Sequence, residues 1–196
     1  MPAIARTSSI WARSSVDSSG VVEALVLIGA PGSGKTSVLE AVATLHDIED
    51  VEHGAIEAEG LSLGRPLLPA SSWVPQLGAV LSLQREAGRR RFLVSATVET
   101  AEDLAALRTA TAAEILLVVC LSASSETVAA RIDAREPDRW PGKTPLIARA
   151  RQLASSTSRL PGIDLVISTE QRAADDVASE IFQAMRCRGM IPRSSH

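Results

Sequence analysis

From about residue 21 the chain sets short apolar runs against longer stretches in which apolar side chains return every three or four positions. The runs ALVLI (24–28), FLVSA (92–96), ILLVVCL (115–121) and DLVIS (164–168) show little or no alternation of apolar with polar residues. Strands buried on both faces read this way, as in a parallel sheet covered by helices. A weaker run, AIEAE (55–59), supplies a fifth strand.

Helical spacing fills the gaps. Val38, Leu39, Val42 and Leu45 predict one helix; Leu77, Val80, Leu81 and Gln84 predict a second, opened by Ser72. Thr100 with Asp103 three residues on forms a capping-box pattern. Ser124 or Ser125 opens the helix that ends near Arg135, Thr144 before Pro145 opens another, and Val177, Ile181 and Met185 line the last. Alternating strands and helices predict a three-layer α/β domain with a mainly parallel five-stranded sheet and helices on both faces. Its expected bounds are 21–186, with a polar tail over 1–20 and a short tail over 187–196.

Composition narrows the picture. The chain has 196 residues, 45% of them hydrophobic and 22% charged, which suits a folded domain with a real core. A net charge of −3 offers no basic footprint for nucleic acid. No apolar run approaches the roughly 18 residues of a membrane span. The two cysteines, Cys120 inside an apolar run and Cys187, have no metal-ligand spacing, and a reducing cytoplasm fits them. The serine- and arginine-bearing first 20 residues read as a disordered tail, with an organellar transit segment as the alternative.

One stretch carries chemistry. GAPGSGKTS (29–37) fits G-x-x-x-x-G-K-[ST] through Gly29, Gly34, Lys35 and Thr36, between a predicted strand and a predicted helix. Gly29, Gly32 and Gly34 let the backbone curl so that successive N–H groups, those of Ser33 and Ser37 included, face phosphate oxygens. The positive end of the following helix adds to the same pull. Lys35 reaches the β- and γ-phosphates of a nucleotide, and the Thr36 hydroxyl ligates Mg²⁺. Only two of the 20 basic residues are lysines, so an accidental lysine at this position is a poor explanation.

With that loop near its start and these elements after it, the chain over 21–186 resembles the small-molecule kinases of the P-loop superfamily, such as shikimate kinase, gluconate kinase, adenylate kinase and chloramphenicol phosphotransferase. The resemblance implies ATP and Mg²⁺ as cofactors and a small-molecule acceptor. In shikimate-kinase-like enzymes a D-x-D pair ends the second strand; here that place reads IEAEG, with Glu57 and Glu59. Two apart on a strand, both carboxylates share one side. The resemblance implies Glu57 at the metal and Glu59 at the acceptor hydroxyl. It also implies that Arg131, Arg135 and Arg139, in ARIDAREPDRWPGK, stack on adenine or reach the phosphates from a lid over 135–144, with Lys143 as a further lid cation. The end of FLVSATVET, bearing Ser95, Thr97 and Glu99, falls where the family builds its acceptor pocket, and Trp73 is a candidate wall. STEQR (168–172) falls where the family wraps adenine.

Two other functions fit the same residues. One is a nucleotide-binding regulatory ATPase acting through a protein partner, consistent with glutamates where the family has aspartates. The other is a nucleoside monophosphate kinase, which calls for arginines around 60–85, where only Arg65 and Arg85 stand. Oligomeric state and the acceptor's identity are not encoded in any motif.

Overall fold

All five strands form, and every pairing between them is parallel. The structure is a computed structural model and describes residues 20–62 and 72–191. Strands β1 (Glu23–Ile28), β2 (Gly54–Glu57), β3 (Arg91–Ala96), β4 (Ile115–Ser122) and β5 (Leu165–Ser168) lie in the order β2-β3-β1-β4-β5. Helices α1 (Lys35–Ile48), α2 (Trp73–Glu86), α3 (Ala101–Thr111), α4 (Ser125–Arg135), α5 (Lys143–Ser156) and α6 (Ala174–Cys187) surround the sheet.

The unbroken apolar runs have the expected cause. Along β1, Ala24, Val26 and Ile28 pack with Trp73, Leu77 and Leu81 of α2 and Leu104 and Leu107 of α3. The alternate residues Leu25 and Leu27 pack on the other face with Val38, Leu39 and Val42 of α1 and Val177, Ile181 and Met185 of α6. Each such fully buried aliphatic side chain contributes about 1.5–3 kcal/mol relative to exposure. Helices α4 and α5 pair across Val128, Ile132, Ala150 and Leu153, and this pair packs on Ala30 of the glycine-rich loop. Neighbouring elements thus put the loop under a two-helix hairpin.

Several expected boundaries move. Strand β2 ends at Glu57, and Ala58–Ser62 form a 3-10 turn, so AIEAE is not one strand to residue 59. Ser72 precedes α2 without a side-chain capping bond. At α3 the full capping box is present, with Asp103 N–H donating to Thr100 Oγ1 and Thr100 N–H to Asp103 Oδ2, each at 3.1 Å. Ser124, not Ser125, caps α4, accepting from Thr127 N–H. Helix α5 begins at Lys143 rather than at Thr144-Pro145. Met190 and Ile191 are buried on the α1–α6 face, so core packing continues beyond residue 186. The expected tail over 1–20 lies outside the described residues except for Gly20, as does the end of the chain from 192. No helix among the described residues is long and apolar enough to cross a membrane.

His46 makes the α1–α6 face sensitive to acid. It is fully buried, its ring 5.1 Å from those of Phe182 and His53, and its Nδ1 bonds Val42 O at 2.8 Å. Its Nε2 finds no partner among the described residues. Burial pushes its pKa from 6.5 down to about 4. The unfolded chain therefore binds the extra proton first as the solution is acidified. Stability is fully present above about pH 6.5 and declines as pH falls toward 4, by on the order of 3 kcal/mol from this group. In urea titrations, His46→Leu is expected to flatten that part of the stability profile; an unchanged slope between pH 6.5 and 4 would show that His46 is not its source.

Candidate active site

The glycine-rich loop follows β1 directly and its curl is enforced by close neighbours. A Cβ at Gly29 would lie 2.5 Å from Leu121 O and from Ser33 Oγ. At Gly32, where φ is +81°, it would lie 2.7 Å from Val128 O on α4. Side chains at these positions would push the loop off β4 and off α4. Ser33 N–H closes the turn on Ala30 O at 3.0 Å. Gly34, also left-handed, sits at the N-cap of α1, which has no side-chain capping bond. The first N–H groups of α1 lack intrahelical partners, as at every helix start, and here they open on a cleft.

That cleft holds about 850 Å³. Gly32, Gly34, Lys35, Thr36 and Ser37 form its floor. Arg131 and Arg135 of α4 line one flank; Glu59, Trp73, Thr97, Glu99 and Arg149 line the remainder. Lys35 is buried, and its ammonium donates to Gly29 O at 3.1 Å and Ala30 O at 3.3 Å. Glu59 Oε1 stands 3.9 Å from it. Burial lowers the Lys35 pKa; Glu59 and then Glu57 oppose that, while Arg135 and Arg149 add to it. Thr36 and Ser37 are exposed at the floor.

The two glutamates separate. Because β2 stops at Glu57, the same-side relation expected of a strand does not reach Glu59. Glu59 lines the cleft from the 3-10 turn, whereas Glu57 is exposed on the edge strand and acts on Lys35 through its charge alone. An oxygen donor set of the Thr36 hydroxyl and a glutamate carboxylate suits a hard cation such as Mg²⁺, which retains several waters and is shared with phosphates.

The arginines also divide. Arg131 donates to Gly32 O at 3.2 Å, Thr169 Oγ1 at 3.1 Å and Thr169 O at 2.8 Å. Thr169, buried in the STEQR stretch after β5, in turn donates to Ser33 O at 2.9 Å. Arg131 therefore ties the glycine-rich loop to the β5 end while facing the cleft. Next to it Glu170 braces the start of α4, accepting from Thr127 Oγ1 and from Ser124 N–H; these bonds hold its carboxyl below the usual range. Arg135 is exposed over the cleft and pairs with Glu136 at 2.7 Å.

Arg139 does not join them: it is exposed in the link between α4 and α5 and is not among the cleft residues. That link spans only residues 136–142. Lys143, the second lysine, is engaged at its end by Asp133 at 2.8 Å and Asp138 at 2.7 Å, and bonds to these two carboxylates raise its pKa. Among the other candidates, Thr97, Glu99 and Trp73 line the cleft and Ser95 does not. Arg85 is committed to Thr111 O at 3.1 Å, and Arg65 lies outside the described residues. Cys120 is buried, which pushes its thiol up to about 11 and makes it a poor nucleophile.

Sequence reasoning missed Arg149. It lies three residues after Leu146, another cleft residue, so the two share a face of α5. Its guanidinium pairs with Glu99. The Leu146–Arg149 spacing was the available signal.

Solved structures share this architecture at low sequence identity. A sugar kinase from Janibacter sp. superposes with a TM-score of 0.60 and 16% identity, over 88% of this chain and 99% of that one. A gluconokinase from Sinorhizobium meliloti gives 0.58 and 22%, over 89% and 98%. Shikimate kinase from Acinetobacter baumannii, solved with shikimate, gives 0.58 and 17%, over 87% and 96%. The fold is that of the P-loop small-molecule kinases. No protein-family model and no curated protein matches the chain by sequence.

Proposed function

We propose that the protein is a kinase that transfers the γ-phosphate of ATP to a hydroxyl of a small molecule. The observation that carries this is a single cleft running from the glycine-rich loop and Lys35 to Glu59, Glu99 and Trp73. It has room for a second reactant beyond the phosphate site, in the volume range of small-molecule pockets. In the reaction the bond from the γ-phosphorus to the bridging oxygen of ADP breaks as the acceptor oxygen bonds to that phosphorus. The acceptor's proton passes to Glu59. The loop N–H groups and Lys35 stabilise charge on the transferring group, and Arg135 approaches it from α4. Arg131 holds the loop against Thr169 and offers its planar face to the base. Mg²⁺, held through Thr36 with Glu57 supporting it by charge, would neutralise phosphate oxygens.

The direct test is a metabolite screen for ADP release, with the phosphorylated product identified by mass spectrometry. A regulatory ATPase would yield only inorganic phosphate and would respond to a protein partner. The two glutamates are expected to behave differently. Glu59→Gln should lower turnover about 10²-fold at any Mg²⁺ concentration. Glu57→Gln should weaken the Mg²⁺ requirement curve by about tenfold and regain activity as Mg²⁺ is raised. Wild-type kinetics in both variants would remove the carboxylates from the mechanism.

A further inference from the structure

The charges beyond the glycine-rich loop and α4 restrict what the acceptor can be, given the kinase reading on which this step rests. Besides the glycine-rich loop and the α4 arginines, the cleft is lined by Glu59, Glu99, Asp103 and Arg149, with Trp73 and Leu146 as apolar surface. Arg149 is the only cation among these described residues, and Glu99 pairs with it. Glu59 faces Lys35 at 3.9 Å, and Asp103 is fixed by Thr100 N–H at 3.1 Å. Among the described residues here, a carboxylate or phosphate on an acceptor would meet one arginine already answered by a glutamate, with a further carboxylate, Asp103, in the same cleft. Displacing Glu99 from Arg149 would leave that half-exposed glutamate facing the incoming anion in the open cleft, and like-charge juxtaposition is costly.

We infer that the acceptor is a hydroxylated compound that is neutral or cationic where it meets these residues, and that the Glu99–Arg149 pair disfavours anionic acceptors. The apolar surface of Trp73 and Leu146 suits a ring face or an alkyl portion, and the carboxylates suit hydroxyl and ammonium donors.

The test uses matched triplets of acceptors: glucose, glucosamine and gluconate, and equivalent neutral, amino and acid triplets on other carbon frames. Transfer from ATP is followed by ADP release and by product mass. The wild type is expected to favour the neutral or amino member over the acid by about tenfold or more in kcat/KM. Glu99→Gln, which frees Arg149, should shift that ratio toward the acid by a similar factor. Adding Arg149→Gln to it should abolish the gain. An acid preferred by the wild type, or a ratio that Glu99→Gln does not move, overturns the charge rule while leaving a kinase. No phosphorylated product from any member, with binding of a nonhydrolysable ATP analogue intact, overturns the kinase reading and this inference with it.

Discussion

Replacing Lys35 by methionine is expected to cut phosphoryl transfer by about 10²–10³-fold, the usual loss when one preorganised charge is removed from a transferring group. The fold should survive. Lys35 donates hydrogen bonds to carbonyls of its own loop, Gly29 and Ala30, its one ion pair among the described residues is the long 3.9 Å contact to Glu59, and methionine keeps the apolar stem that its burial requires. Stability and activity should part in a further way. Burial holds the Lys35 pKa below its ordinary value of 10.5, so the unfolded chain binds this proton more tightly than the folded one. The ammonium thus works against folding at neutral pH, and that opposition fades as pH rises through the folded pKa toward 10.5. Lys35→Met should therefore unfold at an equal or higher temperature at pH 7 while losing its activity. The same depressed pKa predicts that kcat/KM for ATP in the wild type falls off on the alkaline side before 10.5. Calorimetry and steady-state kinetics on the two proteins check both halves. Full turnover in Lys35→Met would remove the lysine from the phosphate site.

The parts of this molecule that local pattern dictates were readable in the sequence. Four unbroken apolar runs became strands because both faces of the sheet are covered, and the glycine-rich loop sits between strand and helix as its motif requires. Thr100 and Asp103 close their capping box because both partners lie within one turn. What failed depended on tertiary placement. The edge strand β2 pairs only with β3 and stops after Glu57 opposite Ser95, so a period of two could not be carried on to Glu59. Pro145 suits a first helical position, which points to Thr144 as the opening, whereas the helix starts at Lys143, whose charge opposes the helix dipole. Asp133 on α4 and Asp138 in the link supply the charge that lets Lys143 stand there. Arg149 entered the site because α5 folds back along α4 and brings it to Glu99 beyond the end of β3; the Leu146–Arg149 spacing marks a shared helix face but not what that face meets.

The second large effect concerns where the phosphate goes. With Mg²⁺ and ATP alone the protein is expected to release phosphate slowly, and the correct acceptor should raise ADP release by roughly 10²-fold or more. The cleft is open: Thr36 at its floor and Arg135 at its rim are both exposed, so water has access to the γ-phosphate position. A hydroxyl held against Trp73 and Glu59 would displace it and place one oxygen in line, which converts a random encounter into a positioned one. The structure also supplies the elements that would respond. Arg135 and Arg149 sit on the α4–α5 hairpin, and both act on Lys35 electrostatically across the cleft. An acceptor that draws this hairpin toward the loop would bring positive charge to the transferring group and exclude solvent in one movement. Stimulation by an acceptor should therefore be steeper than its binding alone explains, appearing in kcat more than in the KM for ATP. It should be reduced in Arg135→Ala, since the Arg135 guanidinium is bonded, among the described residues, only to its neighbour Glu136 and is available to move. Parallel measurement of free phosphate and of phosphorylated product, with and without acceptor, decides the matter: hydrolysis as fast without acceptor as transfer with it would mean that the cleft activates water rather than a second substrate.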